Sequence, residues 1–202
     1  MRQHQPRAQA GMALHQVFAH HYSEYYWLAF LLTGDRERSV RAFTNALDLW
    51  DETNPVFREF MVSWPRRLII AAALATTDAE LRESMLRTEG LQDRDFAKPD
   101  GLPSNIRVGA RTSGSELERA ILAIDMFPRC ALLLTVFEGL PIEDVASLLN
   151  ADEALVRTAQ ARGSIELTHQ LALGRGWDPR AGYSSNPGLG ASAAQSHQHL
   201  AG

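Results

Sequence analysis

Arg157 and Arg162, with Thr158 and Gln160 between them, lie in the segment LPIEDVASLLNADEALVRTAQAR (140–162). Guanidinium groups donate paired hydrogen bonds to phosphate oxygens or to the edge of guanine, and Thr and Gln side chains reach bases or phosphates. This set therefore has the chemistry of nucleic-acid contact, although the same four residues also suit a helix face turned to water. Asp152 and Glu153, just upstream, work against contact with a polyanion. From 140 to 170 five carboxylates stand against two guanidiniums, a net charge of −3. Every phosphate left without a cationic partner takes about one released counterion out of the binding equilibrium. Asp152 is a suitable helix N-cap, which would occupy its carboxylate, and Glu153 either turns aside or accepts from a cytosine amino group.

No catalytic set emerges elsewhere. The acidic residues are scattered, Cys130 lies in the apolar run CALLLTVF, and neither a phosphate-cradling glycine loop nor a His/Glu metal spacing occurs. His197 and His199 fall in a Gly/Ala/Ser/Gln-rich tail and read as solvated, so no enzyme, metal or small-molecule cofactor is expected. The chain of 202 residues carries a formal charge of −4, which supplies no overall attraction to nucleic acid, so any contact must be local. One cysteine excludes a disulfide framework and fits a reducing cytoplasm. The N-terminal MRQHQPRAQAGMAL has no signal-like apolar core, and LIIAAALA (68–75) is too short to cross a bilayer, so no membrane association is expected.

The elements that must position these residues read as helices. Apolar residues recur at three- and four-residue spacing from Leu14 to Leu32, and Thr33-Gly34-Asp35 ends that run. Its aromatics, Tyr22, Tyr25, Tyr26, Trp27 and Phe30, share the stripe with Leu28 and Leu32, which favours a core role over a stacking platform for bases. A second helix carries Val40, Phe43, Ala46, Leu47 and Trp50, with Asp35 as its cap and Pro55 at or beyond its end. A third runs from about 56 to 76, interrupted by Pro65, and residues 78–87 continue it or form a short fourth helix. Residues 88–115 hold four Gly and two Pro without apolar period, the composition of a linker. A second helical block follows, with Leu117, Ile121 and Ile124 on one face, Pro128 in a first turn and Gly139 at an end. The expected architecture is all-α: two small helical domains, 12–87 and 116–173, a flexible linker at 88–115, and a loose tail from 174.

Within 140–167, Val145, Ala146 and Leu149 give one helix an inner face, and Asn150 sits where the chain must turn sharply. Val156, Ala159, Gly163 and Leu167 let the next helix pack. This is a helix-turn-helix pattern. FPRCALLLTVFEGLPIEDVASLLNADEALVRTAQARGSIEL (127–167) resembles, without a gap, the promoter-reading C-terminal domain of bacterial RNA polymerase sigma factors of the extracytoplasmic-function type. The resemblance lies in the Phe-Glu-Gly-Leu turn, the acidic-acidic-aliphatic-Ala start of one helix, and a Val-Arg pair followed five residues later by Arg. FAHHYSEYYWLAFLLTGDRERSVRAF is similar to that family's first domain, with a Tyr-rich helix ending in Leu-Thr-Gly-Asp. FREFMVSWPRRLIIAAAL is similar to a later helix of the same domain.

The resemblance covers most of 14–173. It implies a first domain that binds core RNA polymerase and the melted promoter, a second that reads the upstream element through the helix starting at Asp152, and an anti-sigma factor as a further partner. It sets Arg41 and Thr44 where the family presents Asp-x-x-Gln to the polymerase, and Trp64, Arg66 and Arg67 in a segment that approaches promoter DNA. Ala159 and Ser164 stand at commonly basic positions and Leu155 at a usual Thr, whereas Arg157 and Arg162 keep the pattern. Two readings follow: a divergent sigma factor of this type, or a sigma-like adaptor that keeps the helices for protein contact without promoter recognition.

Overall fold

A computed structural model describes residues 20–51, 63–90 and 112–177 of the chain, with 49–51 and 63–64 described by their backbone alone. These residues are all-helical, as the periodicity implies, and no strand occurs among them. The expected start of the first helix at Leu14, most of the 88–115 linker and nearly all of the tail lie outside the described residues. No described helix is long and apolar enough to cross a membrane.

Helix α1, Tyr22–Thr33, ends at Gly34, whose φ of 71° allows its amide to donate back to the Phe30 carbonyl at 2.8 Å. Asp35 then caps α2, Arg36–Asp51, by accepting from the Arg38 amide at 2.8 Å. Helix α3, Ser63–Thr76, takes Pro65 into its first turn, where a missing amide costs no hydrogen bond; the expected end of α2 near Pro55 and the expected start of this stretch near 56 lie outside the described residues. Residues 78–89 form a separate helix, α4, Asp78–Glu89. At the break the Thr77 amide donates three residues back, to the Leu74 carbonyl at 3.1 Å, and the Thr76 and Thr77 hydroxyls bond to the Ala72 and Ala73 carbonyls at 2.7 and 3.1 Å. Helix α5, Gly114–Leu122, opens with a reciprocal capping box between Ser113 and Glu116.

Helix α6, Met126–Leu132, runs into a π turn, Leu133–Phe137, in which the Glu138 amide reaches the Leu133 carbonyl at 2.9 Å. Gly139, at φ 66°, turns the chain into α7, Ile142–Leu149. Helix α8, Glu153–Gly174, is the longest described element. Its stripe of Val156, Ala159, Gly163, Leu167 and Leu171 is buried. Gly163 lies against α6: a Cβ there would stand 2.6 Å from the Pro128 carbonyl oxygen, so the glycine permits the two backbones to touch.

Helices α1, α2 and α3 pack on one another, and α8 is the axis against which α5, α6 and α7 pack. Helix α4, which the sequence groups with the first half, lies against α6. The Ser84 hydroxyl donates to Asp125 at 2.8 Å and accepts from the Phe127 amide at 2.7 Å, and Arg87 pairs with Asp125 at 2.8 Å. Burial opposes ionisation of Asp125, yet the Arg87 and Ser84 hydrogen bonds hold its carboxyl below the usual range.

One buried core runs from Leu28, Leu31 and Leu32 of α1 through Ile121, Phe127 and Cys130 to Leu171. Trp27 of α1 donates to Glu118 of α5 at 3.2 Å. Arg129 is 6 % exposed, donates to the Leu122 and Ile124 carbonyls at 3.3 and 3.4 Å, and lies against Gly34. Its charge thus meets the carboxyl ends of α5 and α1, where a cation is favoured. Cys130 is wholly buried with its thiol towards the Leu32 carbonyl at 3.9 Å, and burial pushes that thiol up to about 11.

Candidate nucleic-acid interface

The turn between α7 and α8 follows from two local rules. Asn150 adopts the left-handed conformation, φ 50° and ψ 48°, and the Ala151 amide then closes on the Ala146 carbonyl at 3.0 Å. Asp152 caps α8 by accepting from the Leu155 amide at 2.7 Å. Its carboxylate is therefore engaged with its own helix. Glu153 turns along the helix and pairs with Arg157 at 2.9 Å, so it meets the turning-aside alternative.

The candidate residues of α8 do not share one environment. Arg157 is exposed, whereas the Arg162 side chain is only 23 % exposed and pairs with Glu166 at 2.7 Å, leaving one of its guanidinium nitrogens buried without a partner. Thr158 and Gln160 are half-buried. The Ser164 hydroxyl is spent on the Gln160 carbonyl at 2.9 Å. Ala159 is fully buried in the core, so its position offers no surface from which a basic side chain could touch DNA, and Leu155 is partly buried against the same core.

A second group lies at the start of α3. Arg67 is exposed at the rim of a groove of about 260 Å³ floored by Ile70, Leu140 and Leu148, with Asp144 also lining it. Arg66, next to it, forms a fork with Glu138 of the π-turn exit: Nε donates to Oε2, and Nη2 donates to Oε1 at 2.9 Å. The Glu138 side chain is 7 % exposed and that of Arg66 43 %. The Glu138 hydrogen bond holds the Arg66 guanidinium above its ordinary pKa, outweighing the burial that opposes charge, and Glu24 and Tyr25 of α1 add to the same field. The Tyr25 hydroxyl is itself raised by burial. The Trp64 side chain lies outside the described residues.

Arg41 and Thr44 are exposed on α2, one turn apart. Arg41 pairs with Glu37 at 3.2 Å, and the Thr44 hydroxyl donates to the Val40 carbonyl at 3.0 Å. Electrostatically the α8 end of the surface is acidic. A groove of about 610 Å³ between the end of α4 and the α7–α8 turn is lined by Glu89, Glu143, Asp152 and Glu153 around Met85 and Ala146. No group of His, Cys, Asp or Glu among the described residues is arranged to hold a metal ion.

Glu138 is the residue that sequence reasoning passes over. It is visible only as part of a turn motif, because its partner lies 72 positions away and no local pattern couples the two. The same holds for Asp125 with Ser84 and Arg87. Set beside protein-family models, curated proteins and solved structures, the chain finds no match.

Proposed function

We propose that the chain is a divergent sigma factor of the extracytoplasmic-function type, directing core RNA polymerase to promoters in the cytoplasm. In this reading residues 12–87 bind polymerase and melted promoter DNA, and α7 with α8 acts as a promoter-reading helix-turn-helix. The observation that carries it is the α7–α8 corner. Asn150 in the left-handed region and Asp152 capping α8 support this reading, because they give a tight turn between two helices within the stretch where the sequence resemblance is ungapped. The contribution is non-covalent: placing polymerase on DNA through Arg157 and Arg162, with Arg66 and Arg67 supplying positive charge to the separated strands.

A second reading, a sigma-like adaptor without promoter recognition, is favoured by charge. Arg41, Arg66, Arg157 and Arg162 each meet a carboxylate of the same chain, and the turn opens on the acidic groove. Titrating the protein into core polymerase with and without promoter DNA separates the two. Holoenzyme and promoter-dependent transcripts support the first reading, holoenzyme without such transcripts supports the second, and neither product sinks both. In the first reading Arg157→Ala and Arg162→Ala each weaken DNA binding and reduce its salt slope by about one. Unchanged binding in both variants would remove α8 from the interface.

A further inference from the structure

We propose that Glu138 is an intramolecular stand-in for a polyanion's charge, occupying Arg66 so that the start of α3 presents only Arg67 until the Arg66–Glu138 fork is exchanged. The ligand class, nucleic-acid phosphate, rests on the promoter reading above; the geometry does not. A two-toothed guanidinium–carboxylate fork is the same arrangement a guanidinium makes with phosphate, so one anion replaces the other without a change in the donor. The two partners differ in access. Glu138 is nearly enclosed, whereas Arg66 keeps almost half of its side chain in solvent beside the exposed Arg67. An incoming phosphate therefore meets Arg66 first on its solvent side, and takes the Nε–Nη2 edge only as the guanidinium leaves Glu138.

Arg38–Glu80 and Arg87–Asp125 are also two-toothed pairs between distant elements, but their carboxylates are 45 % and 29 % exposed, whereas that of Glu138 is 7 % exposed; the arginine pairs of α8 are of another kind. Arg157–Glu153 and Arg162–Glu166 join neighbours one turn apart on the same helix; the first is exposed, where such a pair is worth little and breaks readily, and the second is more enclosed but ties α8 only to itself. Arg66–Glu138 joins α3 to the exit of the π turn, so releasing it also frees one tie between the first three helices and the bundle around α8. Anion binding at Arg66 and loosening of that tie are then two aspects of one equilibrium, each favouring the other.

The test measures affinity for heparin, a polyanion with no promoter sequence, and for a promoter-length duplex, across salt concentrations. Glu138→Gln removes the competing charge; Glu138→Asp keeps the net charge and shortens the reach, and serves if the Gln variant fails to fold in melting and circular dichroism controls. Glu143→Gln is the control for an added unit of charge on an exposed site. The expected result is roughly 3- to 10-fold tighter heparin binding near 0.1 M salt in both Glu138 variants, with a salt slope steeper by about one. The Glu143 control should gain less, and the gain should vanish in the Glu138→Gln/Arg66→Gln double variant. Heparin binding in the Glu138 variants no tighter than in the control overturns the proposal. An Arg66-dependent gain for heparin with no duplex binding by any variant leaves the masked anion site standing and overturns the promoter reading instead.

Discussion

Gly163 shows how a single missing Cβ sets the distance between two helices. A glycine inside an exposed helix costs about 1 kcal/mol relative to alanine, so Gly163→Ala would stabilise α8 if the space were open. The added carbon would instead stand 2.6 Å from the Pro128 carbonyl oxygen and 3.1 Å from the Leu132 Cβ. Because the nearest obstacle is backbone, α6 and α8 would have to separate, and overpacking of this kind costs about 1–3 kcal/mol. Strain wins, and the expected net loss is on the order of 1 kcal/mol, a melting temperature lower by about 2–4 °C for a chain of this size. A rise on thermal melting would show instead that α8 slides freely over α6. The sequence marks Gly163 as a packing position through its place in the stripe. That its neighbours belong to α6 is a matter of tertiary geometry that the stripe does not encode.

The α7–α8 corner is the most legible part of the chain because each of its signals acts within a few residues. Asn at the turn, Asp at the cap and small residues at one-turn spacing name their own partners. Elsewhere the elements are less readable. Pro65 is compatible with a break or with a first turn, and only the placement of α3 distinguishes them. The π turn through Leu133–Phe137 has no signature in LLTVF, since apolar residues satisfy α and π spacing alike. At this scale Asp152→Ala separates folding from binding. Loss of the cap is expected to cost about 1 kcal/mol in a denaturant melt, while removal of a negative charge beside the α8 N-terminus should raise affinity for duplex DNA. Equal or weaker DNA binding would show that Asp152 does not face the polyanion.

Across the whole molecule, the sequence separates two helical blocks at a glycine-rich segment, and composition there says nothing about what the blocks do to each other. In the structure the buried cluster is continuous from Leu28 to Leu171, and α4 fastens to α6 through Ser84, Arg87 and Asp125. Such ties join residues about forty to seventy positions apart, beyond the reach of periodicity or capping rules. A shared core unfolds as a unit, so calorimetry is expected to give one transition with calorimetric and van't Hoff enthalpies in agreement. Two resolved transitions would mean that the halves are energetically independent. The experiment uses the full chain, linker included.

Cys130 gives this shared core a clock. It is the sole thiol of the chain, enclosed where α6 meets the Leu32 carbonyl of α1, and at neutral pH burial keeps almost all of it protonated. A maleimide in solution cannot reach it while the helices stay together. The rate at which the native protein takes up the label therefore reports the opening of this core: its equilibrium population at low maleimide, and its opening rate once added reagent no longer speeds labelling.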